Sequence, residues 1–416
     1  MPQLLSVIRE GYRRADLRAD AVAGLTVAIV ALPLSMAIAI ASGVGPERGL
    51  YTAVIGGFLV SALGGSRHQI GGPAGAFIVL VAATVAAHGL DGLLLAVLLS
   101  GAILTVLGLL RLGSLVRFMP HAVTVGFTAG IAVIILASQL KDLFGLTLAG
   151  PEPGPIGPKL LALLRAAPTA GAATIAVGFS TLVVIFALRQ WRPRWPAFLI
   201  GVVLASGLVT ALGLPVATLG SRFGTLPSML PAPHLPPLSW AAVETMLPAA
   251  LSFTLLGAIE SLLSAVVADG MTGGLHRSNV ELAAQGVANV ASALFGGICV
   301  TGTIARTATN VRAGAHTPVA GIIHAALVLL FLMVAGPLAR AIPLAALAAV
   351  LIAVCWSMAD RPAVGALLRG PGGAASVLVV TFGLVVARGL VEGIFAGCVL
   401  AALFALRRRF YRHAPG

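Results

Sequence analysis

GGICVTGTIARTATNVRAG, Gly296–Gly314, is the stretch on which the fold turns. It lies between long apolar segments, yet it is rich in Gly and Thr and carries Arg306, with Asn310 one turn later. A short apolar run, Ile298–Val300, meets a small-residue helix start at Thr301–Thr303. That is the pattern of a broken membrane segment: extended backbone, then a half-helix whose first N–H groups point into a cavity. A second stretch of the same character, GGSRHQIGGPAGAF, occupies Gly64–Phe77. The two read as halves of one anion site.

The surrounding chain supports a membrane setting. Of 416 residues, 59% are hydrophobic and 9% charged, and the mean hydropathy is +1.05. Many apolar runs approach or exceed the ~18 residues that mark a membrane helix. Fifty glycines and 25 prolines suit close helix packing and interrupted helices. The net charge of +13 would suggest nucleic acid in a soluble protein, but the positive residues sit in short loops, where the positive-inside rule accounts for them. Cys299, Cys355 and Cys398 all lie in apolar segments, with neither metal spacing nor a disulfide framework. No cleavable leader is evident, because the first apolar run is too long for a signal peptide.

Residues 1–20 read as a basic amphipathic lead-in at the cytoplasmic surface. Fourteen spans follow in an all-α polytopic fold. The expected division is a first repeat of spans one to seven at 21–214, an extracellular linker at 215–243, a second repeat of spans eight to fourteen at 244–406, and a basic cytoplasmic tail at 407–416. Of the 26 Lys and Arg, Arg306 lies within a span; eighteen of the rest fall on the side of the termini and seven on the other. That asymmetry puts both ends in the cytoplasm. An odd number of spans per half makes the halves inverted, the logic of many secondary transporters. Spans three (Ile70–His88) and ten (Cys299–Val311) hold the same place in each half, and each carries a break with short strand-like backbone.

Glu260 lies mid-span in LSFTLLGAIESLLSAVVAD, Leu251–Asp269. An acid there costs roughly 2.5–3.5 kcal/mol on insertion scales, which makes it a candidate proton carrier or cation ligand. The alternative is a structural acid paired with Arg306. Ser264, one turn on, is a candidate partner of the coupling ion, whereas Ser261 suits helix packing. Arg306 would add positive charge to the second half-helix N-terminus, while Thr307 and Asn310 could satisfy freed backbone groups. Gly71, Gly72, Pro73, Ala74 and Gly75 open the first half-helix, with Pro73 at an early helical position. His121 and His324 read as satisfied polar groups. A P-loop, a catalytic triad and a metal-protease pattern are all absent, so neither ATP-driven transport nor enzymatic catalysis is expected.

These residues resemble the sulfate permease family, also called solute carrier family 26. The matching stretches are ALPLSMAIAIASGVGPERGLYTA (Ala31–Ala53), QIGGPAGAF (Gln69–Phe77), LGAIESLLSAVVAD (Leu256–Asp269) and TGTIARTATNVRAGAHTP (Thr301–Pro318). The resemblance spans essentially the whole chain and is greatest to bacterial members, which implies the inner membrane. It implies a core domain of spans 1–4 and 8–11 moving against a gate domain of spans 5–7 and 12–14. The substrate would sit at Gly72, Pro73, Ala74, Gly75, Gly302, Thr303, Ile304 and Arg306, with Glu260 and Ser264 on the coupling proton. In sodium-coupled bicarbonate relatives the acid is Asp with Thr one turn on, so Glu260 and Ser264 lean towards protons. The family's usual Pro-Gln in span one is here Pro33-Leu34, which makes Leu34 an apolar wall of the site. The implied activity is proton-coupled symport of a small anion, a dicarboxylate such as fumarate. Sodium-coupled bicarbonate or sulfate symport, anion exchange, an uncoupled channel and a nucleobase carrier are the alternatives. No cofactor is implied beyond the coupling H+ (or Na+), and no metal. The partners implied are the anion and the lipid bilayer, not nucleic acid. The resemblance also admits a homodimer assisted by a STAS domain, which usually follows in the family where this chain stops at RRRFYRHAPG, Arg407–Gly416.

Overall fold

A computed structural model of the chain describes residues 1–113, 120–150, 152–193, 195–370 and 372–412. Arg117 and Arg194, both counted in the charge asymmetry, lie outside these residues, as does the basic tail beyond Arg412.

The chain runs through α1 (Gln3–Glu10), α2 (Arg14–Ala41), α3 (Pro46–Tyr51), a π-helical turn (Thr52–Gly56) and α4 (Gly57–Leu63). Strand β1 (Gly71–Gly72) and a 3-10 turn (Gly75–Phe77) lead into α5 (Ile78–Leu109). Then come α6 (His121–Phe144), α7 (Ile156–Ala166), α8 (Ala172–Trp191), α9 (Ala197–Leu212) and α10 (Leu219–Phe223). The second half holds α11 (Trp240–Thr272), α12 (Ser278–Leu294), β2 (Thr301–Gly302), α13 (Ile304–Arg312) and α14 (Val319–Ala339). It ends with α15 (Leu344–Met358), α16 (Arg361–Arg369), α17 (Gly372–Ala387) and α18 (Leu390–Arg412). Among the described residues seven helical stretches, the last of them Leu344–Arg369 across α15 and α16, are long and apolar enough to cross a membrane, and three shorter apolar helices add to them.

Fourteen crossings in two inverted sevens account for this order. Spans three and four, expected as separate helices, meet inside α5 at Gly89, whose non-helical φ of 68° and ψ of −171° break the helix there and suit glycine. The corresponding point of the second half is the Ala313–Pro318 gap between α13 and α14. The second half begins its first helix at Trp240, inside the stretch expected as linker.

The helices form two groups. In one, α5 packs on α12 and α11, α2 on α14, and α13 on α11 and α2. In the other, α6 packs on α15 and α17, α8 on α15 and α9, and α17 on α18. These are the core and the gate; they meet where α2 touches α15 and α9, and where the 3-10 turn touches α6. Small residues let the core close. A Cβ placed on Gly101 would fall 2.7 Å from the Gly286 carbonyl oxygen, so α5 and α12 approach backbone to backbone.

The breaks pair with each other. β1 and β2 are antiparallel, with Gly71 opposite Gly302 and Gly72 opposite Thr301. Side chains complete what two residues per strand leave open. The Ile70 N–H donates to Thr307 Oγ1 (3.1 Å), and Asn310 Nδ2 donates to the His68 carbonyl (2.9 Å). Asn289 does strand-like duty for Val300, taking its N–H and giving to its carbonyl, each at 2.8 Å. Thr52, in the π-turn, accepts the Ile298 N–H at 2.8 Å.

The approach to β1 is fastened by Glu281, which is fully buried. Its carboxylate accepts the N–H of Gly65 (2.8 Å) and Ser66 (3.1 Å), and the amide Nε2 of Gln69 and of Gln285 (2.9 Å each). Four donors and no ion-pair partner among the described residues make it a hydrogen-bonded anchor. Removing it leaves those donors unpaired at about 1–3 kcal/mol each before relaxation. Glu281→Ala is therefore expected to lower the detergent-solubilised protein's thermal midpoint by several degrees, and Glu281→Gln by less, as read by a thermal-shift assay.

Candidate functional site

Two half-helices present their N-termini to the middle of the core. One is the 3-10 turn that opens α5, with Ala74 extended before it; the other is α13, with Thr303 extended before it. Neither Ala74 nor Thr303 caps its helix with a side chain. The first amides of both are thus available to an anion, with the positive end of each helix dipole behind them. Pro73 departs from its expected early helical position. It lies in extended backbone ahead of the 3-10 turn, because β1 pairing keeps the chain stretched until Ala74.

Arg306 occupies the crossing point. It is the largest fully buried side chain, at 1% exposure. One guanidinium nitrogen, Nη2, donates to Ser35 Oγ (3.1 Å) and to the Pro73 carbonyl (3.3 Å). Nε and Nη1 have no partner among the described residues. A Cβ on Gly72 would fall 2.2 Å from Nη1, so this glycine makes room for the guanidinium as well as for the strand. Gly302 does the same for Gln69, whose Nε2 would lie 1.9 Å from its Cβ. An arginine stays protonated in proteins; here a buried positive charge has no carboxylate paired with it among the described residues. The Glu260–Arg306 pairing is not formed among the described residues.

Glu260 sits on α11, half-buried, with Oε2 buried and unpartnered. Its neighbour Ser261 ties α11 to the break: its hydroxyl meets Thr301 Oγ1 at 2.7 Å and accepts the Gly302 N–H at 3.3 Å. Ser264 donates to Thr307 Oγ1 (3.1 Å), the same oxygen that accepts the Ile70 N–H. Its hydroxyl thus helps hold the break, whatever it also does for a coupling ion. Thr307 and Asn310 satisfy freed backbone groups as expected.

The remaining expected residues gather around the same crossing. Leu34 is buried on α2, next to the Ser35 that orients Arg306. Gly75 lies at the core–gate seam, where a Cβ would meet Met358 Sδ at 3.5 Å and Ile135 Cδ1 at 3.7 Å. Ile304 and Ala305 are the accessible part of the second N-terminus, and Thr309 continues that accessible stripe one turn along α13. His121 is exposed and away from this cluster. His324 departs from the satisfied histidine that was expected: it is fully buried, and neither ring nitrogen has a partner among the described residues. Ser35, Gln69, Glu281 and Asn289 belong to the site's support; Ser35 and Gln69 lie within the matching stretches without being singled out there, and Glu281 and Asn289 lie outside them. Glu281, Gln285 and Asn289 do recur every four residues, which marks one polar face of an otherwise apolar helix.

The chain is similar to known proteins along nearly its whole length. The sulfate permease family profile matches residues 17–381. The putative sulfate transporter YvdB of Bacillus subtilis is 41% identical over 401 residues, 96% of this chain and 75% of that one. The bicarbonate transporter BicA of Picosynechococcus is 33% identical over 359 residues, 83% of this chain and 62% of that one. Among solved structures, the transmembrane domain of a cyanobacterial bicarbonate transporter BicA superposes with a TM-score of 0.83 at 31% identity, over 94% of this chain and 98% of that domain. Murine SLC26A9 shares the fold, with a TM-score of 0.88 at 19% identity, over 98% of this chain and 71% of that one.

Removing the buried Arg306 guanidinium should weaken anion binding by roughly 2 kcal/mol or more, about thirtyfold in Kd. Arg306→Ala is expected to do so in calorimetric titrations of the purified protein, and Gly72→Val to approach it by displacing the guanidinium. Unchanged Kd in both variants would remove Arg306 from the site.

Proposed function

Because the chain belongs to the sulfate permease family, and is a multi-pass transporter of small anions rather than an enzyme, we propose that it is a proton-coupled symporter of a small oxyanion. The observation that carries this is the separation of charge in the core: a buried guanidinium at the crossing of two helix N-termini, with no ion-pair partner among the described residues, and on α11 a carboxyl that likewise pairs with no cation there. The anion takes the two sets of free amides and balances Arg306. Glu260 takes the proton. An ionised Glu260 and a bound anion repel each other, so a proton on the carboxyl favours the anion, and by linkage the anion favours the proton. Movement of the core against the gate along the seam at Gly75 then exposes the loaded site to either side.

The accessible stripe of Ala305 and Thr309 supports a route from the site towards the face that carries the termini. The excess of basic residues on that face supports its being cytoplasmic, in a bacterial inner membrane. Sulfate and bicarbonate appear in the names of relatives and are the first candidates for the anion; a dicarboxylate such as fumarate is the wider member of the same class. Ser264 donates its hydroxyl proton to Thr307 and keeps its oxygen lone pairs for a coupling ion.

Uptake of labelled sulfate and of labelled fumarate into proteoliposomes decides the matter. An imposed proton gradient, without sodium, is expected to drive accumulation above equilibrium, with bicarbonate tested as competitor. Glu260→Gln is expected to lose gradient-driven accumulation while keeping anion exchange. Accumulation by Glu260→Gln with unchanged pH dependence would remove Glu260 from the proton's path, and accumulation that needs sodium would replace the proton.

A further inference from the structure

The first helix is fastened to the segment that carries β1, and its other face is left open. On the inner side Gln3, Ser6 and Val7 are buried. The Gln3 N–H donates to the Gly64 carbonyl (2.9 Å), Arg277 Nη1 donates to the Met1 carbonyl (2.7 Å) and Ser6 Oγ (2.9 Å), and Arg67 pairs with Glu10 at 2.7 Å. On the outer side Leu5 and Ile8, three residues apart on one helical face, are 46% and 60% exposed, and Met1 before them is 46% exposed. An apolar stripe that is open while the opposite face is pinned by polar bonds calls for an apolar environment.

The basic residues fix which environment. Arg9, Arg13, Arg14 and Arg18 are exposed, and none forms an ion pair among the described residues. They stand immediately before Val22 and Leu25 of α2, which are 55% and 48% exposed where a membrane-crossing helix meets lipid. Four unpaired guanidinium groups at the edge of a lipid-facing surface, next to an apolar stripe, match an anionic phospholipid leaflet in both charge and polarity.

We propose that α1 with the start of α2 is a binding surface for anionic phospholipid headgroups, and that its occupancy sets the order of the segment leading to β1. The connection is short. Gly64 holds α1; Gly65 accepts from the Arg277 N–H (2.9 Å) and donates to Glu281. Glu281 holds Gln69, which packs against Gly302 of β2. Lipid that seats α1 therefore tightens Gly64–Ile70 and, through it, the strand pair at the anion site. The inference goes beyond the transport reading and needs no transported anion. It rests on the membrane-spanning fold, and orientation decides only which leaflet supplies the lipid.

Hydrogen–deuterium exchange on the full chain in nanodiscs tests it. Phosphatidylglycerol in phosphatidylcholine discs is expected to slow amide exchange at Gly64–Ile70 by roughly fivefold or more over phosphatidylcholine alone, the size of about one arginine–leaflet contact. The variant with Arg9, Arg13, Arg14 and Arg18 all changed to Gln is expected to lose that protection while matching wild type in phosphatidylcholine. Leu5→Ser with Ile8→Ser, which leaves every charge and the Arg277 anchor in place, should lose most of it as well. Equal exchange in the two lipids, or full protection in the four-Gln variant, overturns the proposal. Protection by inorganic phosphate in phosphatidylcholine discs overturns it too, because the surface would then be reading soluble anion. A failure of anion uptake in the proteoliposome assay bears on the transport reading and leaves the exchange result standing.

Discussion

Backbone hydrogen bonding at membrane depth is the constraint on which this structure depends. A helix that stops halfway across a bilayer exposes amides and carbonyls that hydrocarbon cannot satisfy, at a cost of several kcal/mol for each. Two such helices stop here, and each supplies what the other lacks. Gly71 and Gly72 pair with Gly302 and Thr301, and Thr303 N–H reaches the Ile70 carbonyl at 3.0 Å. Two residues per strand leave ragged ends, and hydroxyls and amides of Thr52, Ser261, Asn289, Thr307 and Asn310 complete them. The small residues follow from this packing, since a Cβ at Gly72 or Gly302 would collide with Arg306 or Gln69.

The same economy leaves a few groups unsatisfied, and they coincide with the place where a ligand would bind. The first amides of the two half-helices lack capping side chains, and Arg306 keeps two guanidinium nitrogens free. Arg306 and Glu260 could have neutralised one another; instead Ser35 and Pro73 hold the guanidinium on the strand side, while Glu260 remains on α11. A site with positive charge and helix dipoles converging on it gains from an anion, and the unpaired acid of α11 is the group in the same core that can take a proton.

Much of this was legible in the sequence, for definite reasons. Gly-rich polar breaks in apolar spans cannot be ordinary membrane helix, so Gly64–Phe77 and Gly296–Gly314 identify themselves, and their equal positions in two seven-span halves give the inverted repeat. Glu260 and Arg306 stand out because charge in a span is rare. What stayed hidden was pairing. Strands of two residues have no periodicity, so β1 with β2 could not be read from pattern, and Pro73 was placed in a helix that starts after it. Glu281 has no local signal in the sequence, since nothing near it shows that Gly65, Ser66 and Gln69 fold back upon it from more than two hundred residues away. His324 was expected to find a partner and does not among the described residues, which no composition argument could reveal.

Anomalous diffraction from crystals soaked in selenate, a heavy isostere of sulfate, with bromide as a second anion, addresses the site most directly. The account predicts one shared peak in the core, between the amides of Gly75 and Ala76 on one side and those of Ile304 and Ala305 on the other, within reach of the Arg306 guanidinium, and lost in Arg306→Ala. Peaks confined to surface arginines, or a core peak that persists unchanged without Arg306, would contradict it.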